Sequence, residues 1–384
     1  MTPSGTGPRV LLILDSLVPG GAERSTVALL GPLAARGFDL EVAMLHNRPG
    51  LQDAVTSAGF PLHDLSGPGG RTGWIRRIRA LLTDRTPDLV HTSLFEADVC
   101  GRTAAFTKGV PVVSSLATEH YGSAHLSAGH LNQAKVRGAQ VIDATTARMT
   151  RRLHAVSTHV ANTMAQHLRY PRDRIDVVYR GRPTELARVR PESERAAARV
   201  SLSIDDRLVV LALARHEPAK GIDRLIDAFP AVVDAYPTAV LLVAGRSGLH
   251  TPELKALVER HQMHGSVRFL GHRGDVEALL AASDVFVLPS RREGLPGSLL
   301  EAMALGAPAV VNDLPQIREV ADSGEAVIVD ASHPGALAAG IVSVLSDQAE
   351  AAQRADRARN RFLATFTLDQ AADGMAEFYR RSLA

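Results

Sequence analysis

The sequence predicts an α/β protein built from two domains, each with a parallel sheet. Short apolar runs bounded by turn residues alternate with amphipathic segments along most of the chain. This alternation is typical of parallel strands that are covered by helices on both faces. The length of 384 residues is too great for one compact α/β unit and suits two domains of ordinary size.

The first half of the chain carries six predicted strands with helical segments between most of them. The strands are the apolar runs Val10–Leu14, Leu40–Leu45, Asp88–His91, Val110–Leu116, Leu153–Ser157 and Ile175–Tyr179. The helices are the amphipathic segments Ala22–Arg36, Trp74–Thr83, Ala97–Phe106, His130–Arg152 and Val160–Leu168. Strands alternating with helices in this way predict a Rossmann-like domain.

A change of composition then marks the predicted linker. Gly181–Leu202 has two prolines, many charges and no strand pattern. The apolar runs resume at Leu208–Leu213, Val240–Gly245, Val267–Leu270, Val285–Pro289, Ala309–Val311 and Val327–Asp330. Their predicted helices are Arg224–Ala235, Pro252–Gln262, Asp275–Ala282, Leu299–Leu305, Leu337–Ser346 and Glu350–Thr365. We therefore predict Rossmann-like domains at residues 1–184 and 185–365, with the ligand site in a cleft between them.

Composition excludes several classes of protein. The net charge of +2 gives no field that would favour nucleic acid. Cys100 is the sole cysteine, which rules out an internal disulfide framework. Residues 1–8 lack the basic start and apolar run of a signal peptide, and no apolar stretch reaches the ~20 residues that a membrane span needs. The expected location is the cytoplasm.

A pair of glycines follows the first predicted strand. Gly20 and Gly21 open the first helix, where bare backbone lets N–H groups approach an anion. An isolated Gly-Gly is more often just a tight turn between strand and helix. The run is not GxGxxG, so the dinucleotide fingerprint is absent here.

Two basic residues follow the first strand of the second domain. Arg215 and Lys220 lie in the loop between that strand and the next helix. An arginine fork and a lysine point charge could hold a diphosphate and offset the charge that develops on it as it leaves. The alternative is a pair of solvated surface cations. Lysine occurs at only four positions, 108, 135, 220 and 255, so its presence at 220 favours the functional interpretation.

The most specific motif is Glu293-Gly-Leu-Pro-Gly-Ser-Leu-Leu-Glu301. A buried strand leads into this loop, and a helix is expected to begin near Leu299. Two carboxylates flank bare glycines, and the N–H groups of Ser298 and Leu299 are placed for a phosphate. A purely structural alternative is a capping box formed by Ser298 and Glu301. That alternative leaves Glu293 and the Gly-Leu-Pro-Gly run unexplained.

Histidines give weaker signals. His91 and His120 are expected at the ends of strands in the first domain, facing the predicted cleft. A lone histidine is more often a core or surface residue than a catalyst. His261 and His264 form an HxxH pair at a helix end without a nameable third ligand, so no metal site is predicted.

Taken together, these motifs resemble the family-4 retaining glycosyltransferases of the GT-B fold. The resemblance runs over nearly the whole chain. It rests on the Gly-Gly turn, the Arg215 to Lys220 loop, Phe269-Leu-Gly271, the strand ending at Ser290, and the two glutamates of Glu293-x7-Glu301. The strand and the glutamate pair in succession are highly specific, whereas the Gly-Gly turn alone is not.

The resemblance implies a role for each matching position. Arg215 and Lys220 would bind the donor diphosphate, and Glu293 would hold hydroxyls of the donor sugar. Glu301 would bind the ribose, and His120 would lie near the reacting carbon, while His91 matches less firmly. The remaining donor-binding positions act through backbone or close approach: Gly20, Gly21, Gly271, Leu295, Pro296, Gly297, Ser298 and Leu299.

The family also implies a reaction and a chain path. The anomeric configuration is kept, without cofactor or metal, in front-face attack with the leaving phosphate taking the acceptor's proton. A final helix in residues 366–384 would return to the first domain through a stripe of Ala371, Met375, Phe378 and Tyr379. The chain departs from many relatives, which carry phenylalanine at the position of Leu295 and Asn-Gly at Arg180-Gly181.

Partners and rival functions stay open at this level. A nucleotide-sugar donor and an unidentified acceptor are expected, without nucleic acid. Gly73–Leu82 is a basic amphipathic helix that suits a membrane surface, although an ordinary crossover helix is favoured. A non-hydrolysing sugar-nucleotide epimerase or a phosphorylase would share the fold, and a non-catalytic subunit would bind nucleotide without transfer. A nicotinamide oxidoreductase would need a glycine fingerprint.

Overall fold

The computed structural model of the protein describes residues 7–119, 121, 133–188, 191–204 and 206–384. The chain divides into two compact units. The first unit comprises Met1–Gly181 and Leu368–Ala384, and the second comprises Arg182–Thr367. The crossing therefore lies at residues 181–182, a few positions before the predicted boundary at 184, and the return lies at 367–368 instead of 366.

The described part of unit 1 is built on a parallel seven-stranded sheet in the order β3-β2-β1-β4-β5-β6-β7. The strands are β1 Arg9–Ser16, β2 Asp39–His46, β3 Leu62–Asp64, β4 Leu89–Ser93, β5 Val112–Leu116, β6 Arg152–Ala155 and β7 Ile175–Val177. The helices are α1 Gly21–Ala34, α2 Gln52–Ser57, α3 Gly70–Arg85, α4 Phe95–Lys108, α5 Gln133–Ala147, α6 Thr158–Leu168 and, from the chain end, α15 Leu368–Leu383. The short β3 and α2 have no periodic signal and were not predicted.

Unit 2 has a parallel six-stranded sheet in its described residues, in the order β10-β9-β8-β11-β12-β13. The strands are β8 Val209–Leu213, β9 Val240–Ala244, β10 Val267–Gly271, β11 Val285–Leu288, β12 Ala309–Asn312 and β13 Val327–Val329. The helices are α7 Glu192–Leu202, α8 Ile222–Ala235, α9 Thr251–Arg260, α10 Val276–Ala282, α11 Gly297–Ala304, α12 Pro315–Arg318, α13 Pro334–Ser346 and α14 Gln348–Thr365. Both sheets confirm the predicted Rossmann-like class, and each reverses its strand order at its first strand.

The predicted linker is wrong in its second half. Residues Glu192–Leu202 form α7, which packs against α10. The charges that suggested a linker have structural partners, since Arg195 and Arg199 donate to the carbonyls of Ala281 and Ala282 at the end of α10. Alanine, glutamate and arginine are also good helix formers, and this signal outweighs the charge density.

The last helix returns to unit 1 as predicted. The four stripe residues Ala371, Met375, Phe378 and Tyr379 are at most 5% exposed. Met375, Phe378 and Tyr379 pack with the core on one face of β1 and β2, and the Arg36 side chain binds Asp373 at 2.7 Å. The amphipathic period therefore placed this helix correctly.

Candidate functional site

A buried ion pair joins two loops at the carboxyl edge of the second sheet. Strands β8 and β11 are neighbours, so the loops that follow them meet at the point where strand order reverses. Lys220 Nζ lies 2.8 Å from Glu293 Oε1. The Ser290 hydroxyl donates to the same oxygen at 2.7 Å. The Glu293 side chain is only 7% exposed, as expected for a carboxylate whose burial is offset by partners.

Backbone contacts lock these two loops together. Gly221 has φ +65°, and a Cβ at this position would collide with the Pro289 carbonyl oxygen. The Arg291 N–H donates to the carbonyl of Ala219 at 2.9 Å. The Arg291 guanidinium forms a two-pronged pair with Asp223 at 2.7 and 2.5 Å. Lys220 and Glu293 are thus held by rigid segments.

The side-chain amides of Asn312 and Gln316 hydrogen-bond to the backbone of the loop that carries Glu293. Asn312 donates to the Ser290 carbonyl at 2.8 Å and accepts from the Ala331 N–H at 2.9 Å. Gln316 donates to the Glu293 carbonyl at 3.0 Å. Sequence reasoning missed both residues, and the one available signal was the position of Asn312 at a strand end.

Arg215 lies apart from the ion pair in its recorded contacts. Its guanidinium binds Glu217 at 2.7 Å, and the side chain is 52% exposed. The motif loop therefore holds one ordered cation, Lys220, and one solvated cation that can reorient towards a ligand.

The helix after the Gly-Leu-Pro-Gly run begins earlier than expected. α11 starts at Gly297, and its N-cap is Pro296, which offers no side-chain cap. Ser298 is therefore inside the helix, and the capping-box alternative is wrong. The Leu299 N–H donates to the Pro296 carbonyl at 3.1 Å.

Glu301 has a partner that the sequence did not reveal. Arg182 Nε lies 2.7 Å from Glu301 Oε1, and the two side chains are 16% and 25% exposed. A Cβ on Gly297 would collide with the same guanidinium. Arg182 therefore covers the start of α11, although a cation is disfavoured at the positive end of a helix.

Leu295 and Gly271 were also predicted to contribute to the donor site. Leu295 is 1% exposed, so the departure from phenylalanine affects buried packing. Gly271 ends β10 with φ +66°, and its carbonyl accepts from the Gly245 N–H at 2.8 Å.

In unit 1 the glycine turn caps a helix as predicted. α1 begins at Gly21 with Gly20 as its N-cap. A Cβ on Gly21 would lie 3.0 Å from Arg180 Nη1, so the arginine that departs from the family pattern lies over this turn. His120 lies outside the described residues.

His91 lies inside β4, two residues before its end, and belongs to a buried chain of hydrogen bonds. Its Nδ1 is 2.6 Å from the Tyr379 hydroxyl of α15, and its Nε2 is 2.7 Å from the Ser115 hydroxyl. The Ser115 hydroxyl is also 2.7 Å from His154 Nδ1. His154 Nε2 is 3.0 Å from the Val178 carbonyl oxygen. One chain of polar groups thus links α15 to three adjacent strands and the residue after β7.

The last acceptor fixes the direction of every proton in this chain. The Val178 carbonyl can only accept, so His154 Nε2 donates and its Nδ1 accepts from Ser115. Ser115 then accepts from His91 Nε2, and His91 Nδ1 accepts from Tyr379. Burial lowers the pKa of His91 to about 3 and that of His154 to about 4, which agrees with two neutral rings.

A second polar cluster lies among the helices on the other face of this sheet. Arg102, which is 0% exposed, binds Asp143 at 2.6 Å and Asp98 at 3.2 Å. The Tyr121 hydroxyl donates to Asp143 at 2.8 Å. Burial raises the pKa of Asp98 to about 7. These contacts tie α4 to α5 and leave Arg102 no access to a ligand.

The basic helix α3 packs as a crossover helix. Ile78 and Leu82 are buried in the core on the face of β1 and β2 opposite α15, and Trp74 and Ile75 pack against this core. Among the described residues, no helix combines the length and apolar composition that crossing a membrane requires.

No group of three or more His, Cys, Asp and Glu side chains in the described residues is arranged to hold a metal ion. His261, one member of the HxxH pair, instead lies 2.9 Å from Asp227.

Comparison with known proteins covers both units. A family model for glycosyl transferases group 1 matches residues 194–361, and one for glycosyltransferase family 4 matches residues 19–186. The chain is 30% identical over 305 residues to a D-inositol 3-phosphate glycosyltransferase of Rhodococcus opacus, a match that covers 76% of this chain and 67% of that protein. The chain belongs to the family-4 glycosyltransferases.

Two further matches extend the comparison. A glycogen synthase of Mycobacterium tuberculosis is 34% identical over 173 residues, 44% of this chain and 42% of that protein. The crystal structure of Anabaena Alr3699/HepE in complex with UDP-glucose matches with a TM-score of 0.86 at 22% identity, over 97% of this chain and 99% of that one. The structural match to HepE confirms the GT-B fold. Family membership makes the chain a glycosyltransferase.

Proposed function

We propose that this enzyme moves a hexose-type sugar from a UDP- or GDP-sugar to a hydroxyl of a small-molecule, glycan or lipid-linked acceptor, with retention of anomeric configuration. The observation that carries the proposal is the Lys220–Glu293–Ser290 cluster at the carboxyl edge of the second sheet. The UDP-glucose bound in the Anabaena structure supports a nucleotide-sugar donor.

Glu293 is suited to hold the donor sugar. Both of its recorded side-chain hydrogen bonds, from Lys220 and Ser290, fall on Oε1. The fixed carboxylate can therefore offer Oε2 to sugar hydroxyls. Charge-assisted hydrogen bonds of this kind are among the stronger polar contacts, and Gln316 keeps the supporting backbone in place.

Lys220 is suited to stabilise the leaving group. Its ammonium has three N–H donors, and one of them contacts Glu293 at 2.8 Å. The others can meet the diphosphate as negative charge grows on it, with the half-exposed Arg215 as a second cation. We propose that these side chains, without a bound divalent metal, balance that charge.

The proposed reaction needs no nucleophile from the protein. The acceptor oxygen forms a bond to the anomeric carbon on the face from which the carbon–oxygen bond to the diphosphate breaks. The acceptor's proton passes to the departing phosphate oxygen, so the products are the glycoside and the nucleoside diphosphate. This scheme differs from glycoside hydrolysis by two paired carboxylates.

The first experiment is thermal unfolding in the presence of UDP, GDP, ADP and dTDP and their sugar conjugates. A ligand that binds only the folded protein raises the unfolding midpoint in proportion to its affinity. We expect one base to give a clear shift that is lost in Lys220→Ala and Glu301→Ala. If no nucleotide shifts the midpoint, the proposed donor site is wrong.

The second experiment tests retention and metal independence. With the donor identified, proton NMR of the released or transferred sugar reports its anomeric configuration at early times. We expect the configuration of the donor, at a rate that EDTA does not change. An inverted product, or loss of activity in EDTA, would contradict this part of the proposal.

A further inference from the structure

A cavity lies beside the buried histidine chain, and the proposed donor site assigns it no role. It lies within unit 1, has a volume of about 50 Å³, and is bounded by α1, the sheet and α15. Such a volume holds several non-hydrogen atoms. Ala22, Arg180 and Gly181 also line it, so it reaches the first turn of α1 and the segment that covers Gly21.

The polar side chains of the buried histidine chain form part of the cavity wall, but their hydrogen-bonding groups are largely used within that chain. His91, Ser115, His154 and Tyr379 all line the cavity. The proton directions derived above commit both nitrogens of each ring and both hydroxyl protons to one another and to the Val178 carbonyl. These four side chains therefore offer a ligand no donor, and their remaining acceptors are lone pairs of the two hydroxyl oxygens. A polar ligand could bond to these rings only by breaking a link of the chain, which leaves another buried group unpaired.

Aliphatic side chains complete the lining. Leu12, Leu29, Leu33, Val156, Val178 and Met375 contribute to it. An apolar guest would remove this surface from water without disturbing a hydrogen bond. The other polar lining residues are Ser93 at the end of β4, Tyr179 and Arg180 after β7, and Ser25 and Thr26 in the first two turns of α1. Polar groups in these places beside an aliphatic lining suit a guest with an apolar body and one polar end.

We propose that this cavity binds an alkyl or aryl group carried by the acceptor substrate. The proposal rests on the proposed transferase function and narrows the acceptor to an amphiphilic or aromatic alcohol. It sets this chain apart from the matched relatives named for D-inositol 3-phosphate, a small and fully polar compound.

The test is ligand-observed fluorine NMR with fluorobenzene on the full-length chain. We expect saturable binding to the wild type. Leu29→Phe fills the cavity from α1 and should weaken binding about tenfold or more. Val27→Phe is the matched control, because Val27 lies on the same helix but does not line the cavity. It should leave the affinity unchanged.

Competition identifies the chemical class of the natural guest. n-Butyl β-D-glucopyranoside, which joins hydroxyls to a short alkyl chain, should displace fluorobenzene. myo-Inositol at the same concentration should not. Displacement by myo-inositol, absence of fluorobenzene binding, or equal effects of the two phenylalanine variants would each overturn the proposal.

Two controls separate this inference from the proposed function. If Leu29→Phe does not fold, Ala22→Leu narrows the same cavity from the partly exposed first turn of α1. Nucleoside diphosphate binding is measured on the same samples, because Lys220, Glu293 and Glu301 belong to unit 2 and do not line the cavity. Nucleotide binding without fluorobenzene binding overturns the cavity proposal alone. Fluorobenzene binding without nucleotide binding supports the cavity and contradicts the transferase function.

Discussion

The Lys220–Glu293 cluster of unit 2 and the histidine chain of unit 1 differ in how their hydrogen bonds end. In unit 2, Lys220 and Glu293 lie beyond the ends of β8 and β11, with groups left over for a ligand. In unit 1, the chain from Tyr379 to Val178 crosses β4, β5 and β6 and leaves no ring nitrogen unused. Parallel sheets of the same class can therefore carry a charged cluster that is open to a ligand beyond the strand ends, or a neutral chain within the strands whose ring nitrogens are all used.

The difference follows from the chemistry of the terminal groups. A carboxylate accepts at two oxygens and an ammonium donates three protons, so one ion pair cannot satisfy both. A hydroxyl and a neutral imidazole each donate once, and a row of them closes when it ends on a carbonyl. Receptivity to a polar ligand is thus decided by unused donors and acceptors, not by the number of polar residues.

The largest effect that we expect is loss of stability at acidic pH, where protonation of His91 and His154 disrupts their hydrogen-bonded chain. Because burial holds the pKa of His91 near 3 and that of His154 near 4, their contribution to stability is complete above the unfolded pKa of ~6.5 and is lost as pH falls. Two such groups remove roughly 4 kcal/mol of unfolding free energy between pH 6.5 and 4.5. Denaturant unfolding of the wild type and of His91→Gln at the two pH values isolates this contribution, because the raised pKa of the buried Asp98 changes the total stability in the opposite direction.

Nitrogen-15 NMR of the histidine rings gives the direct check on this prediction. Both rings should show the neutral form protonated at Nε2 at pH 6. His333→Gln is the control, because the His333 side chain is 75% exposed and its loss should not change the dependence of stability on pH. Imidazolium signals from His91 or His154 at pH 6 would show that the proton directions are wrong.

Removing the positive charge of Lys220 should lower the rate of sugar transfer. Lys220→Met is expected to lower kcat by about 10²–10³-fold, because a preorganised cation at the leaving group is lost. Lys255→Met, an exposed lysine in the same unit, is the matched control and should retain wild-type turnover.

The double variant Lys220→Met/Glu293→Gln separates catalysis from folding. It should recover stability lost through the unpaired buried carboxylate but recover no turnover. Wild-type kcat in Lys220→Met would exclude a role for this lysine in the reaction.

Interruption of the neutral chain should have a graded effect on stability. Ser115→Ala leaves two buried ring nitrogens unpaired, so we expect a loss of about 2–4 kcal/mol. Tyr379→Phe leaves one unpaired and should cost about 1–2 kcal/mol. Equal losses in urea unfolding would argue against a continuous chain.

The smallest expected effect concerns the Arg182–Glu301 pair. Glu301→Ala should weaken nucleoside binding by about 1–3 kcal/mol through loss of a ribose partner. Arg182→Val should strengthen it a few-fold, because the arginine occupies the same carboxylate at 2.7 Å. Calorimetry with the nucleoside of the identified donor distinguishes the two. Arg188→Val, which removes an exposed pair with Glu194, should change nothing.

Local motifs carried most of what could be predicted for unit 2. The apolar runs gave its strands, and the Glu293 to Glu301 spacing marked the loop that the structure joins to Lys220. The motif could not reveal Asn312 and Gln316, because these residues belong to a later strand and helix. They support the loop by hydrogen bonds to the Ser290 and Glu293 carbonyls, and those contacts form only in the folded protein.

Unit 1 shows the limit of such prediction. The sequence indicated that His91 follows an apolar run and that Tyr379 belongs to an amphipathic stripe. It could not indicate that the two side chains meet at 2.6 Å, because 288 residues separate them. Tautomers and acid sensitivity depend on that contact.

The sequence by itself determined the α/β class, the return of the last helix and the family, because hydrophobic period and short motifs are local properties. Tertiary structure decided which polar groups form hydrogen bonds with each other and which remain available to a ligand. It placed Arg182 on Glu301 and closed the histidine chain on Val178. Those pairings arise only when distant segments are packed together, since a hydrogen bond depends on ångström-scale distance and not on separation along the chain.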